Sequence, residues 1–168
     1  MLIPPPDALV KLFKPWNDFY GDSKMTETIV MFAHTGGLVL AGGIAVATDR
    51  LTLRARAWTD SDRQRHLVEL GALHRTVVTG LVIIVLSGLA MLFSDLETFW
   101  ASWIYWVKMS LIVLLLINGG QMVSIEKKLA TDSAATSPHW ARLRTSAAIS
   151  MTLWLTVTLA GVALLNFA

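Results

Sequence analysis

The sequence predicts an all-α integral membrane protein: a bundle of four membrane-spanning helices, preceded by a short interfacial helix, with both termini outside. Apolar side chains make up 54% of the 168 residues and charged side chains only 15%, whereas soluble chains carry about 25% charge. The mean hydropathy is +0.56. The charges are also clumped, which leaves four nearly uncharged runs of roughly 18 to 22 residues, the length that crosses a ~30 Å hydrocarbon core as helix.

The N-terminal part of the chain is expected to lie outside the bundle. Residues 1–25 are predicted to form an outer interfacial amphipathic segment, and residues 26–168 the membrane-spanning bundle. Asp7 is a candidate cap for a short amphipathic helix in this segment, and Pro15 should end that helix soon after its apolar residues. We expect so short a helix to lie flat on the outer interface or to dock on a neighbouring subunit. Its apolar side chains recur at i, i+3, i+4 and i+7: Leu9, Leu12, Phe13 and Trp16.

Four apolar runs predict the spans, at 29–47, 76–93, 103–123 and 147–167. Thr59, Asp60 and Ser61 offer caps ahead of the second run. From Asp62 the sequence continues as one helical segment into that run, so this helix should project several turns beyond the membrane. The small, polar stretch at 131–138 predicts a flexible inner loop. Aromatic residues at the start of the third run predict an outer interfacial belt: Trp100, Trp103, Tyr105 and Trp106.

Basic residues fall mainly on one side of the predicted spans. Of the 14 lysines and arginines, six lie within 50–75 and four within 124–144. Because basic residues resist translocation, these first and third loops are predicted to be cytoplasmic, which places the termini and the 94–102 loop outside. The expected location is the bacterial inner membrane. Anionic lipid is the expected partner of the basic face, and nucleic acid is not.

Several chemistries are excluded by the residues present. The sequence has no cysteine, which excludes disulfides, thiolate metal sites and cysteine nucleophiles. No phosphate-binding glycine loop, HExxH motif or serine triad is apparent. The glycine pairs of the first span indicate close helix packing. Any chemistry of these 168 residues is therefore expected among the helices.

Two ionisable residues lie clearly within the apolar runs, His34 in the first and Lys108 in the third. Each is five residues from the outer end of its run, and both runs cross in the same direction, so both side chains should reach a depth of roughly 8 Å. Ionisable groups at such depth are costly and mark candidate sites. The plainer alternative is a histidine bonded to a carbonyl or hydroxyl of the next helix, with Lys108 reaching the outer headgroups. Small residues should turn His34 into the bundle: Ala33, Gly37 and Ala41.

A second histidine is the obvious rival to Lys108, because two histidines on two helices can ligate a b-type haem. His74 is the candidate, but its predicted depth differs from that of His34 by about 22 Å along the membrane normal. That distance is too long for one iron. His66 and His139 lie further inside and are expected to be interfacial.

The arrangement resembles the four-helix superfamily that includes the copper-resistance D (CopD-like) membrane domain and the HemJ-type protoporphyrinogen oxidases. The resemblance covers roughly residues 26–167. It implies a b-type haem or porphyrin bound near His34 and Lys108. The chain lacks the denser histidine and arginine set expected around span two of the oxidase, so it does not imply porphyrinogen oxidation. The matching residues are His34 with Gly36 and Gly37, Ser87-Gly88-Leu89, Trp106-Val107-Lys108, Asn118, and Arg142-Leu143-Arg144.

Functions of three classes remain open. The first is a membrane protein that binds one tetrapyrrole, b-type haem or a chlorophyll-type pigment, and acts as a redox or electron-transfer element. His34 would be its axial metal ligand, and Lys108 a second ligand or a counter-charge for propionates or a quinone carbonyl. The second is a cofactor-free accessory subunit of a larger respiratory or photosynthetic complex. The third is copper transport, although the seven methionines are scattered and indicate packing.

Overall fold

The structure, a computed structural model, describes residues 4–55, 58–131 and 138–167, and every regular element in this part of the chain is a helix. Four helices are long and apolar enough to cross a membrane, which confirms the all-α class and the four predicted spans. Most of the predicted inner loop at 131–138 lies outside the described residues. The helices are α1 (Asp7–Asp22), α2 (Lys24–Arg54), α3 (Asp60–Ser94), α4 (Leu96–Ala101), α5 (Trp103–Thr131) and α6 (His139–Phe167); the four spans are α2, α3, α5 and α6.

The second span is one uninterrupted helix that begins well before its apolar run, as predicted. α3 contains 35 residues, or about 52 Å at 1.5 Å per residue. A capping box starts it: the Thr59 hydroxyl accepts from the backbone of Asp62, and the Asp62 carboxylate accepts from the backbone of Thr59 at 3.2 Å. This length exceeds a ~30 Å hydrocarbon core by several turns.

The N-terminal helix is longer than the sequence predicted. The expectation that Pro15 ends it is wrong, because α1 continues through Pro15 to Asp22. Asp7 lies in its first turn, and the N-cap position is Pro6. A proline inside a helix removes one hydrogen bond and crowds the preceding turn. Contacts between the following turn and α3 offset that cost.

The surface on which α1 docks is the C-terminal end of α3 in the same chain. The indole N–H of Trp16 donates to the carbonyl oxygen of Ala90 at 2.9 Å, and the rings of Phe13 and Phe93 stack with centroids 3.8 Å apart. Leu12, on the same predicted stripe, is 67% exposed. Only part of the apolar stripe is therefore used within the chain.

The four spans pack in the order α3, α2, α6 and α5, with α2 between α3 and α6. α5 packs against α6, while α3 and α5 make few contacts with each other. Small residues bring α2 and α3 close together, as predicted: a Cβ on Gly80 would lie 2.9 Å from that of Ala41, and one on Gly37 would lie 3.0 Å from the Gly80 carbonyl oxygen. On the other side, a Cβ on Gly42 would lie 3.0 Å from the Trp154 ring of α6.

The predicted outer loop at 94–102 contains the short helix α4. Trp100 of α4 packs on Trp106 near the start of α5, with the two rings edge to face and their centroids 5.1 Å apart. The indole N–H of Trp106 donates to the Trp100 carbonyl oxygen at 3.0 Å. Packing within the cluster accounts for these aromatic residues without a bound group.

Candidate functional site

His34 lies on the face of α2 that meets α3. Its Nδ1 is 3.1 Å from the Ser87 hydroxyl oxygen, and Ser87 is only 6% exposed. The next residue, Gly88, leaves room for the imidazole, because a Cβ there would lie 3.3 Å from His34 Cε1. Ser87 and Gly88 of α3 thus hold the His34 ring in place where α2 and α3 are in close contact.

The hydrogen bonds of Ser87 bear on which ring nitrogen of His34 carries the proton. A serine hydroxyl donates one hydrogen bond, and the carbonyl oxygens of Ile83 and Ile84 lie 2.6 Å and 3.2 Å from that of Ser87. When the hydroxyl donates to one of these carbonyl groups, its oxygen accepts from Nδ1 of His34, and the lone pair of Nε2 is left for another partner. This is the tautomer in which a histidine ligates a metal through Nε2, with its other ring nitrogen held by a hydrogen bond.

Lys108 projects from α5 towards α6. A Cβ on Gly161 would lie 3.5 Å from the Lys108 Nζ, so the absence of a side chain at Gly161 leaves space for the ammonium group. No described carboxylate forms an ion pair with Lys108. The structure therefore places the His34 ring where α2 meets α3 and the Lys108 ammonium group where α5 meets α6.

The structure also excludes His34 and His74 as the two ligands of one haem iron, as the depth argument predicted. Ser87, which binds the His34 ring, lies thirteen residues after His74 on α3, or about 20 Å along the helix axis. One iron cannot bridge that distance. His66, expected to be interfacial, is buried at 3% exposure, and its Nε2 lies 2.8 Å from the Thr52 hydroxyl.

A second group of polar residues was missed by the sequence reasoning. Asp49 on α2 is 2% exposed, and its Oδ2 has no hydrogen-bond partner among the described residues. Glu126 on α5 is close enough for the charge of Asp49 to act on it, and Ser150 on α6 lies beside the Asp49 carboxylate. Together with His74 they line a cavity of about 370 Å³ between α3 and α5.

A sequence signal for these carboxylates existed in the helical spacing. Asp49 continues the inward i, i+4 series of Ala41 and Ala45, and Glu126 lies four residues after the buried Met122. Both acids lie just beyond an apolar run and beside a basic residue, which made them look like ordinary loop residues. Following the inward-facing positions of each helix past the end of its apolar run would have identified both acids.

His34 and Lys108 offer two nitrogen donors, fewer than a metal ion held by protein alone usually requires. Within residues 4–55, 58–131 and 138–167 there is no group of three or more histidine, aspartate or glutamate side chains that could hold a metal ion. A haem supplies four equatorial ligands itself, so one or two protein ligands suffice. Comparison of the chain with protein-family models, with curated proteins and with solved structures finds no match.

Proposed function

We propose that this protein binds one tetrapyrrole, b-type haem, within the membrane and acts as a redox or electron-transfer element or subunit. The observation that carries the proposal is the 3.1 Å contact of His34 Nδ1 with the Ser87 hydroxyl, which anchors the imidazole ring through one of its two nitrogen atoms. An anchored imidazole of this kind is typical of a metal ligand. The resemblance to the CopD-like and HemJ-type superfamily supports the same residues.

Each residue of the proposed site has a separate task. His34 would ligate the iron, Ser87 would orient the imidazole ring, and Gly88 leaves the space that the ring needs. Lys108 would be the second ligand or the counter-charge for propionates or a quinone carbonyl. When bound, the haem would supply one-electron exchange at its iron. A single histidine also suits the magnesium of a chlorophyll-type pigment, which an absorption spectrum distinguishes from haem.

We also propose that the protein lies in the bacterial inner membrane with its basic end in the cytoplasm. The end of α2, the end of α5 and the start of α6 lie at the same end of the bundle, because Ala55, Leu129 and Trp140 pack in one cluster. Nine of the ten arginines and lysines of the two predicted loops lie on the four spanning helices, on this side of their apolar runs, and the tenth is Arg56. Such a bias sets cytoplasmic orientation, and anionic lipid is the expected partner of this end.

The proposal is tested by absorption spectroscopy of the detergent-purified full chain, produced with ample haem, in the oxidised and dithionite-reduced states. We expect a haem spectrum at about one haem per chain, lost in His34→Ala and retained in the control His74→Ala. Ser87→Ala should keep the fold but weaken haem retention, because the ring loses its anchor. A folded preparation without colour, or colour that survives His34→Ala, refutes the proposal.

The alternative function, a cofactor-free accessory subunit of a larger membrane complex, is favoured by one feature of the surface. A groove of about 730 Å³ between α5 and α6 contains the exposed amide of Gln121 within the third apolar run. A polar side chain at membrane depth calls for a polar partner. Native electrophoresis of mildly solubilised host membranes should then show the chain in a larger complex that is lost in Gln121→Leu and kept in Leu114→Ala, a lipid-facing control. Migration of the chain by itself counts against this alternative.

A further inference from the structure

The cavity between α3 and α5 lies at the opposite end of the bundle from His34. Asp49 is fifteen residues after His34 on α2, or about 22 Å along the axis. The cavity is therefore separate from the proposed haem site. Because α3 and α5 make few contacts with each other, we expect a ligand to enter the cavity between these two helices.

Two carboxylates with no cationic partner line this cavity. Asp49 Oδ2 is buried and makes no hydrogen bond with a described residue, and neither Asp49 nor Glu126 forms an ion pair with a described lysine or arginine. The adjacent Arg50 and Lys127 are exposed and are not part of the cavity wall. A buried carboxylate without a counter-charge is costly, so a cation entering the cavity would gain from both acids.

The shape and the walls of the cavity select the kind of cation. A volume of about 370 Å³ is far larger than a bare ion needs and lies in the range of small-molecule pockets, about 300 to 1,000 Å³. An apolar wall suits the hydrocarbon part of a ligand, and an indole adds a surface that attracts cations. The wall includes Leu70, Val77, Leu81, Leu115 and Trp154.

We propose that this cavity is a binding site for a lipophilic organic cation, an amine or quaternary ammonium compound, held by Asp49 and Glu126 and entering from the lipid between α3 and α5. Protons compete with such a ligand. The titratable groups that face the cavity are Asp49 from α2, His74 from α3 and Glu126 from α5, whereas α6 contributes the hydroxyl of Ser150 and no titratable group. Protonation of either acid removes attraction, so binding weakens as the pH falls.

The test is isothermal titration calorimetry of the full chain in detergent with phenyltrimethylammonium, and with tert-butylbenzene as its neutral isostere. We expect one cation to bind per chain and the neutral compound to bind much more weakly. Binding of the cation should weaken as the pH is lowered and the carboxylates are protonated. Asp49→Asn and Glu126→Gln should each weaken the cation by about tenfold or more, which corresponds to losing roughly 1.4 kcal/mol.

Matched controls separate this site from the rest of the molecule. Glu97→Gln removes an exposed carboxylate on α4 and should leave binding unchanged, and so should His34→Ala, which keeps this test independent of the haem proposal. Circular dichroism checks that each variant folds. Equal binding of the neutral isostere, no binding of the cation to the wild type, or unchanged binding in both folded carboxylate variants overturns the proposal.

Discussion

Replacing Gly80 by Ala should force α2 and α3 apart at their closest contact. The added Cβ would lie 2.9 Å from the Cβ of Ala41 and 3.1 Å from the Gly37 carbonyl oxygen, whereas carbon atoms in contact are about 3.5 to 4.0 Å apart. The helices must therefore separate by roughly 0.6 to 1.1 Å. Overpacking of this kind costs about 1 to 3 kcal/mol of folding free energy.

A matched glycine variant isolates the contact from the effect of helix propensity. Gly43→Ala, also inside an apolar run, places its Cβ where nothing lies within 4 Å. Both variants gain the same helix propensity, up to about 1 kcal/mol, so the difference between them reports the clash alone. We expect Gly80→Ala to be less stable than Gly43→Ala by about 1 to 3 kcal/mol.

The assay is thermal unfolding in detergent, where each kcal/mol corresponds to roughly 2 to 4 °C for a chain of this size. The same separation would stretch the 3.1 Å contact between His34 and Ser87 beyond the hydrogen-bond range of about 3.5 Å. Gly80→Ala should therefore also shift the imidazole NMR signals of His34, and Gly43→Ala should not. Equal melting temperatures and unchanged His34 signals in both variants would refute the reasoning.

Three further substitutions probe contacts elsewhere in the chain. Thr59→Ala removes the α3 capping box and should cost about 1 kcal/mol, measured as a lower melting temperature. Trp16→Phe removes the hydrogen bond to Ala90, worth about 1 kcal/mol, and should speed hydrogen exchange of the α1 backbone amides. Thr52→Val leaves buried His66 without its hydroxyl partner and should lower the free energy of unfolding by about 1 to 3 kcal/mol.

Each of these variants has a control with similar chemistry and no comparable contact. Thr79→Ala removes an exposed hydroxyl that bonds only its own helix, and Thr152→Val does the same on α6. Leu12→Ala trims a side chain of α1 that is 67% exposed. Surface changes of this kind stay within about 0.5 kcal/mol. A control that behaves like its partner variant contradicts the assignment of that contact.

The part of the candidate site that could be predicted depended on helical geometry within single segments. His34 and Lys108 share a layer because each is five residues from the outer end of its run, and the constant rise of a helix converts that count into depth. The same calculation of depth excluded His74 as a second ligand of an iron bound to His34. The hydrogen bond from His34 to Ser87 could not be obtained this way, because it depends on how α2 and α3 are rotated against each other.

Asp49 and Glu126 were not identified from the sequence. Both residues lie just beyond an apolar run, but α2 and α5 continue past those runs and carry both side chains inward. At Pro15 the local rule that proline ends a helix gave the wrong prediction. Contacts of Trp16 and Phe13 with α3 favour continuation of α1 through the proline, and no local pattern contains them.

The sequence by itself determined the four spans and the length of α3, and it predicts that His34 and Lys108 share a layer. These follow from hydrophobic length, capping residues and rise per residue, which act within one segment. Only the tertiary structure decided which helices pack together, the contact of His34 with Ser87, the docking of α1 and the cavity lined by the two carboxylates. Those features arise where side chains of different helices meet, and the rotation and spacing of helices are set by packing over the whole bundle.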